Sequence, residues 1–94
     1  MFHPLRQQRS AILHIAEKHG ASNVRVFGSI ARYTASNKSD VDILVELEPG
    51  RSLLDQVALK QELEELLGRP VDVVVEGGIS PYLEERILAE AVPL

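Results

Sequence analysis

The sequence contains no cysteine among its 94 residues, and none of its apolar runs is long enough to cross a membrane. The absence of cysteine excludes a disulfide scaffold and any thiolate-based metal or redox site, and it fits a reducing compartment. A membrane helix needs roughly 18 or more apolar residues, and the first ten residues lack even the shorter apolar stretch of a signal peptide. We therefore expect a cytoplasmic protein that does not enter a membrane.

Positive charge is also scarce, because 10 Lys and Arg residues face 14 Asp and Glu residues, giving a formal net charge of −4 and a sequence pI near 5.3. Proteins that bind nucleic acid unaided usually present a basic face, so direct nucleic-acid binding is not expected. A chain of this length, 45% hydrophobic, corresponds to one globular domain with a modest core. We predict a single domain over residues 1–94.

Hydrophobic spacing and turn residues divide the chain into alternating helices and strands. Ser52 and Asp55 have the spacing of a capping box, in which each side chain satisfies a free backbone amide at a helix start. The predicted elements are a helix over about Leu5–Lys18, strands over Asn23–Phe27, Val41–Leu47 and Val71–Glu76, and helices from Ser52 to Gly68 and from Ser80 onwards. This order predicts an α/β (α+β) fold with a small mixed three-stranded sheet flanked by helices.

Three aspartates occupy matching positions in two of the predicted strands. Asp40 and Asp42 begin the second strand, and alternation along a strand makes their side chains point the same way. Asp72 has the phase in Val71–Glu76 that Asp42 has in Val41–Leu47. The intervening helix makes the two strands parallel, so their N-terminal ends lie at one edge of the sheet. We therefore expect the three carboxylates to converge.

Converging carboxylates repel one another and stay ionised only if a cation neutralises them. Oxygen ligands without histidine or cysteine favour Mg²⁺, or Mn²⁺, over zinc. Two such ions on shared carboxylates would stabilise the attacking and leaving oxygens of an in-line phosphoryl displacement. The three aspartates therefore indicate a site for phosphoryl-transfer chemistry.

Gly28 and Ser29 follow the first strand and should lie beside the aspartates. Glycine lets a phosphate approach the backbone closely, and Ser29 adds a hydroxyl where free amides can face an anion. Arg32 and Lys38, in the connecting loop, can offset phosphate charge. Each feature alone is an ordinary turn or solvated strand end, and only their combination indicates a nucleotide site.

Gly28-Ser29, ten residues, Asp40-x-Asp42 and the later strand aspartate Asp72 resemble the motif of the DNA polymerase β-like nucleotidyltransferase superfamily. The stretch from Gly28 to Asp42 looks most like the minimal nucleotidyltransferase, or MNT-domain, branch, and the likeness spans essentially the whole chain. The chain departs from that pattern at Tyr33, where the family usually has a glycine that suits a left-handed turn. The departure concerns the loop and leaves the aspartates unaffected.

The resemblance implies the polymerase β-like fold and assigns roles to these residues. Gly28 and Ser29 would hold the triphosphate, Asp40 and Asp42 would ligate two Mg²⁺ ions, and Asp72 would complete the triad and help activate the attacking hydroxyl. It further implies an antitoxin that transfers AMP from ATP to a tyrosine of a HEPN RNase toxin encoded nearby. The exposed apolar surface of the last helix, which ends Ala91-Val92-Pro93-Leu94, is a predicted contact for that partner.

Two other functions are compatible with the sequence. The chain could neutralise its partner by stoichiometric contact, without nucleotide chemistry. Alternatively, it could modify a small molecule of the aminoglycoside type, although a chain of this length has no second domain to bind such an acceptor. The base preference, the acceptor and the state of assembly, homo-oligomer or hetero-oligomer, are left open by the sequence.

Overall fold

The computed structural model describes residues 7–28, 40–78 and 80–94 of the chain. These ranges contain three helices and four strands in a mixed α/β arrangement. In chain order they are α1 (Arg9–Lys18), β1 (Ala21–Phe27), β2 (Val41–Leu47), α2 (Leu53–Leu67), β3 (Val71–Val75), α3 (Pro81–Glu90) and β4 (Val92–Pro93). The predicted order of helices and strands is confirmed up to the last helix, and β1 begins two residues earlier than the sequence indicated. Leu5, the predicted start of the first helix, lies outside the described residues.

The four strands form one sheet in the order β3-β2-β1-β4. β1 pairs antiparallel with β2, whereas β2 and β3 are parallel, as the intervening helix predicted. The mixed fold class is confirmed, but the predicted count of three strands is wrong. The fourth strand is a two-residue segment that pairs antiparallel with β1.

The same segment corrects the prediction that the C-terminal residues extend the exposed apolar face of the last helix. Val92 and Pro93 pair with Val26 and Arg25, so they form the outer edge of the sheet. The Leu94 amide donates to the Val24 carbonyl at 3.2 Å, and Leu94 packs against the core. Two residues are too few to show a strand periodicity, which is why the sequence pattern did not reveal this strand.

One face of the sheet packs against α1 and α2 to form the core. Alternate residues of the strands supply most of it, in agreement with the predicted period of two. The fully or nearly fully buried members are Ile12, Ala16, Ala21, Val24, Val26, Val41, Ile43, Val45, Leu59, Leu63, Val71 and Val73. None of the described helices is long and apolar enough to cross a membrane.

Local signals fix both ends of α2. At its start the Ser52 amide donates to Asp55 Oδ2 at 3.0 Å, and the Leu54 amide donates to Ser52 Oγ at 3.2 Å. At its end Gly68 takes the left-handed conformation, with φ of 67°, and its amide donates to the Glu64 carbonyl at 2.8 Å. Both predicted boundaries are confirmed, and they determine where β3 begins.

Side chains of α2 occupy the outer edge of β3. Gln56 Nε2 donates to the Val73 carbonyl at 2.9 Å, and the Val71 amide donates to Glu64 Oε2 at 3.1 Å. An edge strand with unpaired amides and carbonyls invites pairing with other chains. These two hydrogen bonds satisfy part of that edge and hold β3 against α2.

Three carboxylates on or beside α2 have lowered pKa values, which predicts an acid limit to stability. The Lys18 ammonium, followed by His19, lowers the pKa of Glu62, and the Lys60 ammonium, followed by the Val71 amide, lowers that of Glu64. The Ser52 amide lowers the pKa of Asp55. A depressed folded-state pKa contributes stability above the unfolded-state value, and this stability is lost as pH falls through the folded-state value.

We therefore expect the melting temperature to be flat above about pH 5 and to fall below about pH 4, where unfolded carboxyls protonate. Thermal denaturation followed by circular dichroism between neutral and acid pH measures this limb. Glu64→Gln should make the limb shallower. Glu65→Gln, the same change at an exposed neighbour, is the matched control, and an equally large effect there would contradict the assignment to Glu64.

Candidate functional site

The register of β2 and β3 places Asp42 directly beside Asp72. Their strand neighbours Val41 and Val71 are buried in the core, so both aspartates project from the opposite face of the sheet. We call this second face the site face. Asp42 is half-buried and Asp72 is exposed, while Asp40, immediately before β2, is exposed at the same edge. The structure thus brings the aspartates to one edge of the sheet.

Gly28 adjoins Asp42 on the other side. Phe27, its predecessor, is the register partner of Asp42 at the end of β1. Gly28 has a φ of 73°, which L side chains rarely adopt, and a Cβ at this position would overlap the Asp42 carboxylate. The lack of a side chain at Gly28 therefore leaves the space that the Asp42 carboxylate occupies.

Four predicted features fall between Gly28 and Asp40. Ser29, Arg32, Tyr33 and Lys38 lie outside the described residues. The roles predicted for Ser29, Arg32 and Lys38 therefore remain predictions.

Among the described residues, no group of three or more Asp, Glu, His or Cys side chains is arranged so that it could hold a metal ion. Mg²⁺ does not require one, because it usually takes one or two carboxylates and fills its octahedron with water and substrate phosphates. The neighbouring carboxylates of Asp42 and Asp72, both hard oxygen donors, fit that requirement. The arrangement therefore suits a cation that arrives together with a phosphorylated ligand.

A second pair of acidic residues lies on the site face, where alternation along the strands predicts them, but the sequence did not predict their hydrogen-bond partners. Glu46 and Glu76 lie four residues beyond Asp42 and Asp72, and both are engaged by β1. Asn23 Nδ2 donates to Glu46 Oε2 at 2.9 Å, and Arg25 Nη2 donates to Glu76 Oε2 at 2.6 Å. The only local signal was alternation, which places Arg25 between two buried valines.

Known proteins are similar to this chain in sequence. The sequence model of a family described as "Nucleotidyltransferase domain" matches residues 9–94. A Methanocaldococcus jannaschii protein is 49% identical to this chain over 88 residues. The aligned residues cover 94% of this chain and 95% of that protein, which is named, by inference, as a protein adenylyltransferase. Protein adenylyltransferase MntA of Thermococcus cleftensis is 40% identical over 78 residues, covering 83% and 79%.

Solved structures share the fold. One, described by inference as a minimal nucleotidyltransferase, has a TM-score of 0.86 at 53% identity and covers 96% of this chain and 92% of its own. A chain from a tri-AMPylated Shewanella oneidensis HEPN toxin in complex with an MNT antitoxin has a TM-score of 0.72 at 19% identity, covering 94% and 69%. The latter likeness shows the fold alone. Together these similarities confirm the predicted resemblance to minimal nucleotidyltransferases and the polymerase β-like fold.

Proposed function

The chain belongs to the nucleotidyltransferase domain family and is a nucleotidyltransferase, and we propose that it transfers AMP from ATP to a tyrosine of a HEPN toxin encoded nearby. The observation that carries the proposal is the pairing of Asp42 with Asp72 beside Gly28 at one edge of the sheet. The names of its relatives support adenylyl transfer to a protein.

In this proposal the site residues form a phosphate-binding group and a metal-binding group. Gly28 and Ser29 hold the triphosphate, while Arg32 and Lys38 offset its charge. Asp40, Asp42 and Asp72 hold Mg²⁺, two ions in all, or Mn²⁺ in its place. When bound, the metal neutralises charge on the phosphates and on the oxygens that attack and leave.

The proposed reaction makes one bond and breaks one. The tyrosine hydroxyl oxygen bonds to the α-phosphorus of ATP, while the bond from that phosphorus to the oxygen bridging the β-phosphate breaks. Pyrophosphate leaves, and the product is a tyrosine adenylylated on its oxygen. Asp72 is exposed, so an acceptor hydroxyl can reach it and pass its proton toward that carboxylate.

The proposed acceptor of AMP is a HEPN toxin, and this chain is its antitoxin. A HEPN toxin carrying three AMP groups has been seen in complex with an MNT antitoxin, and a chain of that complex shares this fold. We propose the same relation here, with this chain as the antitoxin and adenylylation as the event that silences the toxin's RNase activity. The acceptor site would then be shared between two chains.

Intact-mass measurement tests the proposal. The chain is incubated with the neighbouring HEPN protein, ATP and Mg²⁺, and the HEPN protein is weighed before and after. We expect a mass gain of one or more AMP groups, located on tyrosine by fragmentation, together with loss of RNase activity. Omitting Mg²⁺, or replacing the modified tyrosine by phenylalanine, should abolish the gain.

Two results would select the alternatives. An unmodified HEPN protein whose RNase activity is nevertheless lost in the complex would favour neutralisation by contact. Modification of an aminoglycoside by this chain alone, with no change in the HEPN protein, would favour a small-molecule transferase. Either result would contradict the proposed acceptor.

A further inference from the structure

The site face carries the same acidic arrangement twice. Asp42 and Asp72 are register partners, and the pairing of Val45 with Val75 extends the ladder to Glu46 and Glu76. The Glu76 amide donates to the Val45 carbonyl at 2.8 Å, which keeps Glu76 in line although β3 has ended. We call Asp42 and Asp72 the outer pair and Glu46 and Glu76 the inner pair.

Side chains of β1 engage the inner pair, since Asn23 donates to Glu46 and Arg25 donates to Glu76. Arg25 contacts Glu76 at 2.6 Å, with side chains 12% and 27% exposed, and its Nε donates to the Asn23 carbonyl at 3.1 Å. Because β2 lies between β1 and β3, the guanidinium must cross β2 to reach Glu76. Leu44, the register partner of Arg25 on β2, is fully buried.

We infer that Arg25 is a positioning residue, which confines the divalent cation to the outer pair by occupying the inner one. This inference rests on the proposed function, because it assumes a cation at Asp42 and Asp72. Two neighbouring carboxylates attract a cation, but an oxygen that accepts a charge-assisted hydrogen bond from Arg25 is less available as a ligand. The guanidinium charge also repels a cation from the inner pair.

The distance between the two pairs confines the effect of the Arg25 charge to the inner pair. Four residues of strand separate the two pairs by roughly 13 Å. The Debye length is about 8 Å at physiological salt, so the charge of Arg25 is largely screened at the outer pair. Arg25 can therefore block one pair while leaving the attraction of the other for Mg²⁺ nearly intact.

Titration with Mn²⁺ alone, followed by electron paramagnetic resonance of the free ion, tests the inference. Arg25→Met removes the charge but keeps an apolar side chain near Leu44. We expect R25M to bind about one more Mn²⁺ per chain than the wild type, because removing the guanidinium frees the Glu76 carboxylate beside the strand that carries Glu46. Arg25→Lys keeps a positive charge and should match the wild type.

The double variant R25M/E76Q separates positioning from packing. Removing Glu76 destroys the inner pair without restoring the packing of Arg25, so the extra Mn²⁺ should disappear. If R25M gains no Mn²⁺ while its melting curve shows a folded protein, the inference is overturned. Arg25→Gln, which also removes the charge, gives the same comparison if R25M does not fold.

A control on the outer pair separates this inference from the proposed function. The double variant D42N/D72N should lose the Mn²⁺ that the wild type binds. If it loses none, the proposed cation site itself is wrong. If it loses bound Mn²⁺ while R25M and R25Q gain none, the outer site stands and only the role of Arg25 is contradicted.

Discussion

Asp42→Asn is expected to lower the rate of AMP transfer by roughly a hundred- to thousandfold, because metal-assisted charge stabilisation contributes several kcal/mol to the transition state. Asparagine keeps the size of the side chain and one oxygen, but it removes the charge that holds a cation beside Asp72. Since Asp42 is only half-buried and lies outside the core cluster, the fold should survive. Single-turnover transfer of radiolabelled AMP measures the effect.

The matched control is Asp55→Asn, the same chemical change at the opposite edge of the sheet. Asp55 caps α2 next to Arg51 and Glu48, at the end of the parallel strands remote from Asp42. Asparagine can still accept the hydrogen bond from the Ser52 amide, so transfer should stay within about twofold of wild type, as for a surface change remote from the site. Equal losses in D42N and D55N would remove the special role of Asp42.

Gly28→Ala is expected to lower the transfer rate by roughly a hundredfold, the cost of displacing a reacting group by about 1 Å. Alanine at this position has two problems. The φ of 73° is unfavourable for a residue with a Cβ, and that Cβ would overlap the Asp42 carboxylate. The carboxylate, the strand end or both must move, and the cation site moves with them.

Gly68→Ala separates the two causes. Gly68 has a similar φ of 67°, but a Cβ there would meet nothing within 4 Å. Both variants should lose about 1–2 kcal/mol of stability from the left-handed backbone, measured by urea denaturation. Only G28A should lose transfer activity at a temperature where both are folded, and a comparable loss in G68A would show that backbone strain, rather than displacement of Asp42, is the cause.

Local rules were sufficient to predict the strands that carry the site. The matching phase of Asp42 and Asp72 follows from alternation, and the parallel pairing follows from the helix between their strands. The capping box at Ser52 and the left-handed glycine at Gly68 are also encoded within a few residues of sequence. These features need no knowledge of distant parts of the chain, which is why the fold class could be predicted.

Features that depend on distant residues could not be predicted in this way. β4 exists because Val92 and Pro93 pair with a strand almost seventy residues earlier in the chain, and the pairing leaves no periodic signal in two residues. The ion pair between Arg25 and Glu76 joins residues 51 positions apart. Arg25 lies on β1 and Glu76 directly follows β3, strands that both neighbour β2, so their contact appears only once three strands are side by side.

A crystal grown with Mn²⁺ and a non-hydrolysable ATP analogue offers the most direct measurement of the cation site. The anomalous signal of Mn²⁺ locates the ion independently of the fitted atoms. We expect a peak within coordination distance of carboxylate oxygens of Asp42 and Asp72 and of the phosphate oxygens. A nucleotide bound with its Mn²⁺ elsewhere, out of reach of both aspartates, would contradict the account.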